Sequence, residues 1–109
     1  MHPSLSESDW KFLRSIQAEL IAALCERINR RTVDILLTKG QSELENYRKA
    51  FSHVRNSDKI IAECFDDWRR STIVQIVMSL RRHGLLTDEH VRNLSEAGQD
   101  FVKIADSLK

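Results

Sequence analysis

The chain has 109 residues, 30% of them charged, with 17 Lys and Arg set against 16 Asp and Glu. So even a balance gives no one-signed field of the kind that gathers nucleic acid or holds a protein on an acidic membrane. Three Gly, one Pro and few aromatics favour helix and leave the core to aliphatic side chains.

This length fits a single domain covering 1–109, one that buries about two-thirds of the surface exposed by its unfolded chain. The longest uncharged run, Ser71 to Leu80, is far too short to cross a bilayer. Met1-His2-Pro3-Ser4-Leu5 lacks the basic and apolar regions of a signal peptide. Cys25 and Cys64 stand among apolar neighbours on helical stretches, which predicts reduced, buried thiols in a cytoplasmic protein.

Four helices are predicted, at roughly 7–38, 43–55, 58–83 and 88–106. Ser6 is placed to cap the first, ahead of acids in the first turn. Trp10, Leu13, Leu20, Leu24 and Ile28 then recur at three- and four-residue steps, and Val33, Leu36 and Leu37 carry the pattern to Gly40. Ser42-Glu43-Leu44-Glu45 reads as a capping box opening the second helix, whose stripe is Leu44, Tyr47, Ala50, Phe51 and Val54. Asn56-Ser57-Asp58 is read as a break. The third helix carries Ile61, Phe65, Trp68, Ile73, Ile76 and Leu80 to a stop at Gly84, with Leu85 packing back on the last turn as in a Schellman cap. Thr87-Asp88-Glu89 opens the last helix, with Val91, Leu94, Phe101 and Leu108 on its apolar side.

No segment alternates like a half-buried strand, so the fold class is all-α. The first helix alone would be about 45 Å long. A four-helix bundle, or more easily an antiparallel or two-fold symmetric dimer of long helices, would cover that much apolar face.

The chemistry-bearing residues do not assemble into a catalytic pattern. Asp66 and Asp67 are adjacent and point about 100° apart on a helix, so they do not share a site. Arg69 and Arg70 follow each at the i, i+3 spacing of helix ion pairs. His53, His83 and His90 show no metal-binding spacing with the two Cys. No phosphate loop or nucleophile elbow is present, and a non-enzyme without cofactor or metal is expected. Arg27-Arg30-Arg31 and Arg81-Arg82-His83 lie near helix ends, where cations favour the dipole. Thr72 to Leu94 can also be read as helix–turn–helix, which makes a small DNA-binding regulator the alternative. Against it, the recognition helix, Asp88 to Phe101, would begin with two acids facing phosphate.

Phe65-Asp66-Asp67-Trp68-Arg69-Arg70-Ser71, the apolar helix from Thr72-Ile73 to Gly84-Leu85 and the Leu-rich stretch to Leu94 carry a resemblance. They resemble the fluorescence recovery protein family, in which a Tyr-Asp-x-Arg-x-Ser-hydrophobic motif opens an apolar helix closed by Gly-hydrophobic. Either Phe65-Asp66 or Asp67-x-Arg69-x-Ser71 aligns, with a one-residue slip between them. Trp10-Lys11-Phe12-Leu13 through Leu24 is similar to the family's first helix. The resemblance covers about half the chain. It implies an all-helical homodimer that binds photoactivated orange carotenoid protein and speeds its return to the resting state, a role in photoprotection without covalent chemistry.

The family's contact surface centres on a Trp-x-x-His-Asp cluster and a downstream Arg. Here Tyr47 stands where the Trp would, and Arg55 or Lys59 where the Arg would, in shifted registers, and the His-Asp pair is missing. Tyr47, Phe51, Arg55 and Lys59 are therefore the expected partner-binding residues. They are spaced at i, i+4, i+8 and i+12 and share a broad helix side. Trp68, Ile73, Ile76 and Leu80 are expected in the core or at a dimer seam.

Overall fold

The computed structural model describes residues 5–108; the signal-peptide question concerns residues that lie largely outside that range. Its elements are α1 (Glu7–Leu36), α2 (Glu43–Phe65), α3 (Ile73–Arg82), α4 (Asp88–Val91) and α5 (Glu96–Leu108). No strand occurs among the described residues, so the all-α class holds.

The start and stop signals act where the sequence puts them. Ser6 accepts from the Asp9 N–H and Ser42 from the Glu45 N–H, each capping its helix. Gly40 and Gly84 both adopt positive φ, at 85° and 66°. At Gly84 the Leu85 N–H reaches back to the Leu80 carbonyl at 2.9 Å, the Schellman bond, and buries Leu85 on the last turn.

Three features of the helix boundaries differ from expectation. Asn56-Ser57 does not break the chain: the buried Ser57 hydroxyl donates to the His53 carbonyl one turn back at 2.7 Å, so it serves a continuous helix instead of capping a new one. The break falls at residues 66–72. There the Trp68 indole donates to the Cys64 carbonyl, the Arg69 N–H bonds the Thr72 hydroxyl, and Arg69 clamps Asp67 with two hydrogen bonds. The expected i, i+3 ion pairs are therefore absent; Arg70 instead joins Glu7 of α1. The predicted last helix is also divided, with residues 92–95 turning between α4 and α5.

The turn at 92–95 is fixed from the far end of the sequence. Asp9, 2% exposed, accepts from the Ser95 N–H at 2.8 Å and the Ser95 hydroxyl at 2.6 Å. The Ser95 oxygen in turn accepts from the Gly98 N–H, opening α5. Burial raises the Asp9 carboxyl, but its bonds from Ser95 and Ser6 outweigh this and leave it below the ordinary carboxylate range. A lowered native pKa contributes stability above the unfolded value, about 3.9, that is lost as pH falls through the native one. We expect the urea midpoint to drop as pH falls below about 4, and Asp9→Asn to reduce that slope while lowering stability at neutral pH. An unchanged slope in the variant would show that other carboxylates govern acid unfolding.

The molecule is elongated, 55 × 22 × 21 Å. One end is a head in which Leu13, Leu20 and Leu24 of α1, Cys64 and Phe65 of α2, and the inner faces of α3 and α5 form the core. Arg27 bonds the His83 and Gly84 carbonyls, and Glu19 meets His90, tying α1 to the head. The other end is an arm, the antiparallel pair formed by the last turns of α1 and the first of α2. His53 there bonds the Ile28 carbonyl, and Asn46 bonds the Thr38 carbonyl. On α1 the fully buried side chains stop at Leu24; on the arm portion of α2 only Asn46, Ala50 and Ser57 are buried. The arm is thus joined through small and polar side chains, and its large apolar residues face outward.

Candidate functional site

α2 carries two stripes. Asn46, Ala50, His53, Ser57, Ile60 and Cys64 alternate steps of four and three and turn toward α1; all are buried or half-buried. Leu44, Tyr47, Phe51 and Val54 form a second stripe, spanning about 80° of arc at 100° per residue. Steps of four and three continue it through Asp58 to Ile61 and Phe65. Under the head the stripe is covered, with Phe65 8% exposed. Along the arm it is open: Leu44 is 55%, Tyr47 61%, Phe51 57% and Val54 41% exposed.

The Tyr47 and Phe51 rings stack with centroids 6.4 Å apart, which holds the two aromatics as one surface. Covering four such half-exposed side chains would contribute about 3–6 kcal/mol. An opposing cost of about 4–15 kcal/mol accompanies any association, so the stripe needs further contacts to hold a partner.

Those contacts are at hand. Arg48, Arg55 and Lys59 occupy the next ~40° of arc, all exposed. None of the three forms an ion pair among the described residues. Nearby Lys49, by contrast, is paired with Glu45. The four residues expected from the sequence, Tyr47, Phe51, Arg55 and Lys59, therefore lie together on one open side of α2. Arg48 belongs with them; its spacing of seven from Arg55 was the signal.

Trp68, Ile73, Ile76 and Leu80 take a different role. Ile73, Ile76 and Leu80 are 3%, 3% and 0% exposed within the single chain, so they are core and cannot also form a seam between chains. Trp68 is half-buried, packed against the core with its ring stacked on Phe65.

Elsewhere several reactive groups serve the fold. Cys64 is fully buried, and burial pushes its thiol up to about 11, far from a nucleophile's range. Both cysteines are free thiols. Glu63 accepts from Ser79 and Arg82 and lies 3.5 Å from His83. Arg81 joins Asp106, Asp88 and the Leu86 carbonyl, which locks α3 to α5. The Arg81-Arg82 cluster thus serves structure. No group of His, Cys, Asp and Glu suited to a metal ion occurs among the described residues. The stretch expected as a recognition helix is divided, α4 holding four residues.

Compared with protein-family models, curated proteins and solved structures, the chain gives no match. The class that the fold defines is an all-α protein with a closed head and an arm bearing an open aromatic and basic face. No helix among the described residues is long and apolar enough to cross a membrane.

Proposed function

We propose that this protein is a non-enzymatic regulator that works by binding another protein through the open side of α2, in the manner of the fluorescence recovery proteins it resembles. The observation that carries this reading is the stacked Tyr47–Phe51 pair beside three cations without an ion pair among the described residues, on a side of α2 that is exposed there. By the same resemblance the partner is photoactivated orange carotenoid protein, and the effect is faster return to the resting state. Holding a bound conformation more tightly than its alternative is enough to shift such an equilibrium without any covalent step.

Two copies pair to form the working unit, in keeping with the family. Val33 and Leu36 of α1 and its C-cap Leu37, 52%, 47% and 72% exposed, offer an apolar cluster for that contact once α2 is reserved for the partner; Ile104 and Leu108 of α5 are exposed at the other end of the chain. Leu36→Glu with Leu37→Glu is expected to convert a dimer to a monomer in light-scattering measurements, with helical content retained. A wild-type monomer at tens of micromolar would remove dimerisation from the reading.

Binding itself is tested by size-exclusion chromatography of this protein with dark-state and photoactivated carotenoid protein. Co-elution is expected with the photoactivated form only. No complex with either form would rule out this partner.

A further inference from the structure

We infer that the segment seated on α2 is an acidic amphipathic one, whose apolar side chains cover Leu44, Tyr47, Phe51 and Val54 while its carboxylates meet Arg48, Arg55 and Lys59. This inference rests on the partner-binding reading above and specifies the chemistry of the surface that is bound.

Charge complementarity picks this occupant. The apolar stripe has α1 on one flank and the three cations on the other. A shallow depression lined by Ser42, Leu44, Glu45, Arg48, Lys49 and Ser52 runs along the cationic side. Its one acid, Glu45, is already paired with Lys49. In line with the stripe the only carboxylate is Asp58, past Val54 at the head end, where it closes the open stretch. Four apolar residues at alternating steps of three and four match the repeat of a facing helix, and cations along one edge call for acids along the facing edge.

A second copy meets this surface badly. In an antiparallel two-fold pairing of α2 with itself, the cationic flank lies along its own copy and like charges oppose. A parallel pairing needs the other flank, which α1 occupies. An anionic lipid surface would satisfy the cations but leave no register for the 3–4 spacing, and it is an arm of the test.

The test uses the full chain and a fluorescein-labelled helical peptide of about 20 residues, with Leu at i, i+3, i+4 and i+7 and Glu on the flanks. Anisotropy titrations are run at low and high salt. The expected result is saturable binding, weakened about tenfold between 50 and 500 mM salt, because exposed charge contacts are screened. A Gln-for-Glu peptide is expected to bind at least tenfold more weakly. Arg48→Glu with Arg55→Glu should abolish binding while the circular dichroism spectrum stays that of wild type.

Equal binding of the Gln and Glu peptides, indifference to the charge-reversed variant, or tighter sedimentation with phosphatidylglycerol vesicles than binding to the peptide would each overturn the inference. Failure here stays separate from failure of the function. A chain that forms the photoactivated complex but ignores the acidic peptide loses only the acidic chemistry. One that binds the peptide but not the carotenoid protein loses only the named partner.

Discussion

Gly98→Ala is expected to destabilise the protein by roughly 2–4 kcal/mol, a large share of what a chain this small commands. The reason is the buried Asp9 carboxylate. A Cβ at position 98 would press on it, 2.8 Å from Asp9 Cγ and 3.0 Å from Leu94 Cβ. Neither neighbour is free to move. Asp9 is fixed by both of its hydrogen bonds from Ser95, and Leu94 is 5% exposed in the core. Relieving the overlap by swinging Asp9 away would leave the Ser95 N–H unpaired at the start of α5 and a charge without its donors. Urea unfolding of the variant measures this directly. A change below about 0.5 kcal/mol would mean that α5 shifts as a unit and that the Asp9–Ser95 contact does not fix its position.

The second large effect is expected at Leu80, where truncation to Ala should cost roughly 2–5 kcal/mol. Leu80 is fully buried on α3 among the side chains that join α2, α3 and α5. Its carbonyl also receives the Leu85 and Leu86 N–H groups that close the Schellman turn. The contrast with α2 is the informative part. Phe51→Ala removes a larger side chain, yet with 57% of Phe51 already exposed it should move stability by no more than about 0.5 kcal/mol. Thermal or urea unfolding of the two variants side by side separates core from open surface. A loss at Phe51 rivalling that at Leu80 would place Phe51 inside a packed interface of the free protein.

Much of this was legible in the sequence, for local reasons. Caps at Ser6 and Ser42, the positive-φ glycines and the Leu85 closure depend on neighbours within a few residues, and the sequence displays those neighbours. The two shifted boundaries depend on what one residue meets. Ser57 is a fair cap by composition, but pressed against α1 its hydroxyl is better served by the His53 carbonyl. Phe65 and Trp68 continue a helical period, yet their rings stack across the point where the helix has ended. The division of the last helix rests on Asp9, 86 residues from Ser95 in sequence, and no periodicity reports such a contact.

Of the proposed partner surface, the shared helix side of the four spaced residues was legible, because i, i+4 periodicity alone puts them on one side. It did not say which side faces outward. That follows from the small residues Ala50 and Ser57, which let α1 approach closely and turn Tyr47 and Phe51 away. The core or seam choice for Ile73, Ile76 and Leu80 was likewise decided by α5, which the head folds over them.

The central claim, that the open side of α2 is a functional contact surface, is tested most directly by the dark recovery rate of photoactivated orange carotenoid protein. It is measured alone, with a few-fold excess of this protein, and with the Tyr47→Ala/Arg55→Ala variant at the same excess. Acceleration by the wild type and its loss in a variant that remains folded is the expected result. Equal acceleration by the folded variant would contradict it; no acceleration by well-folded wild type would remove the named partner.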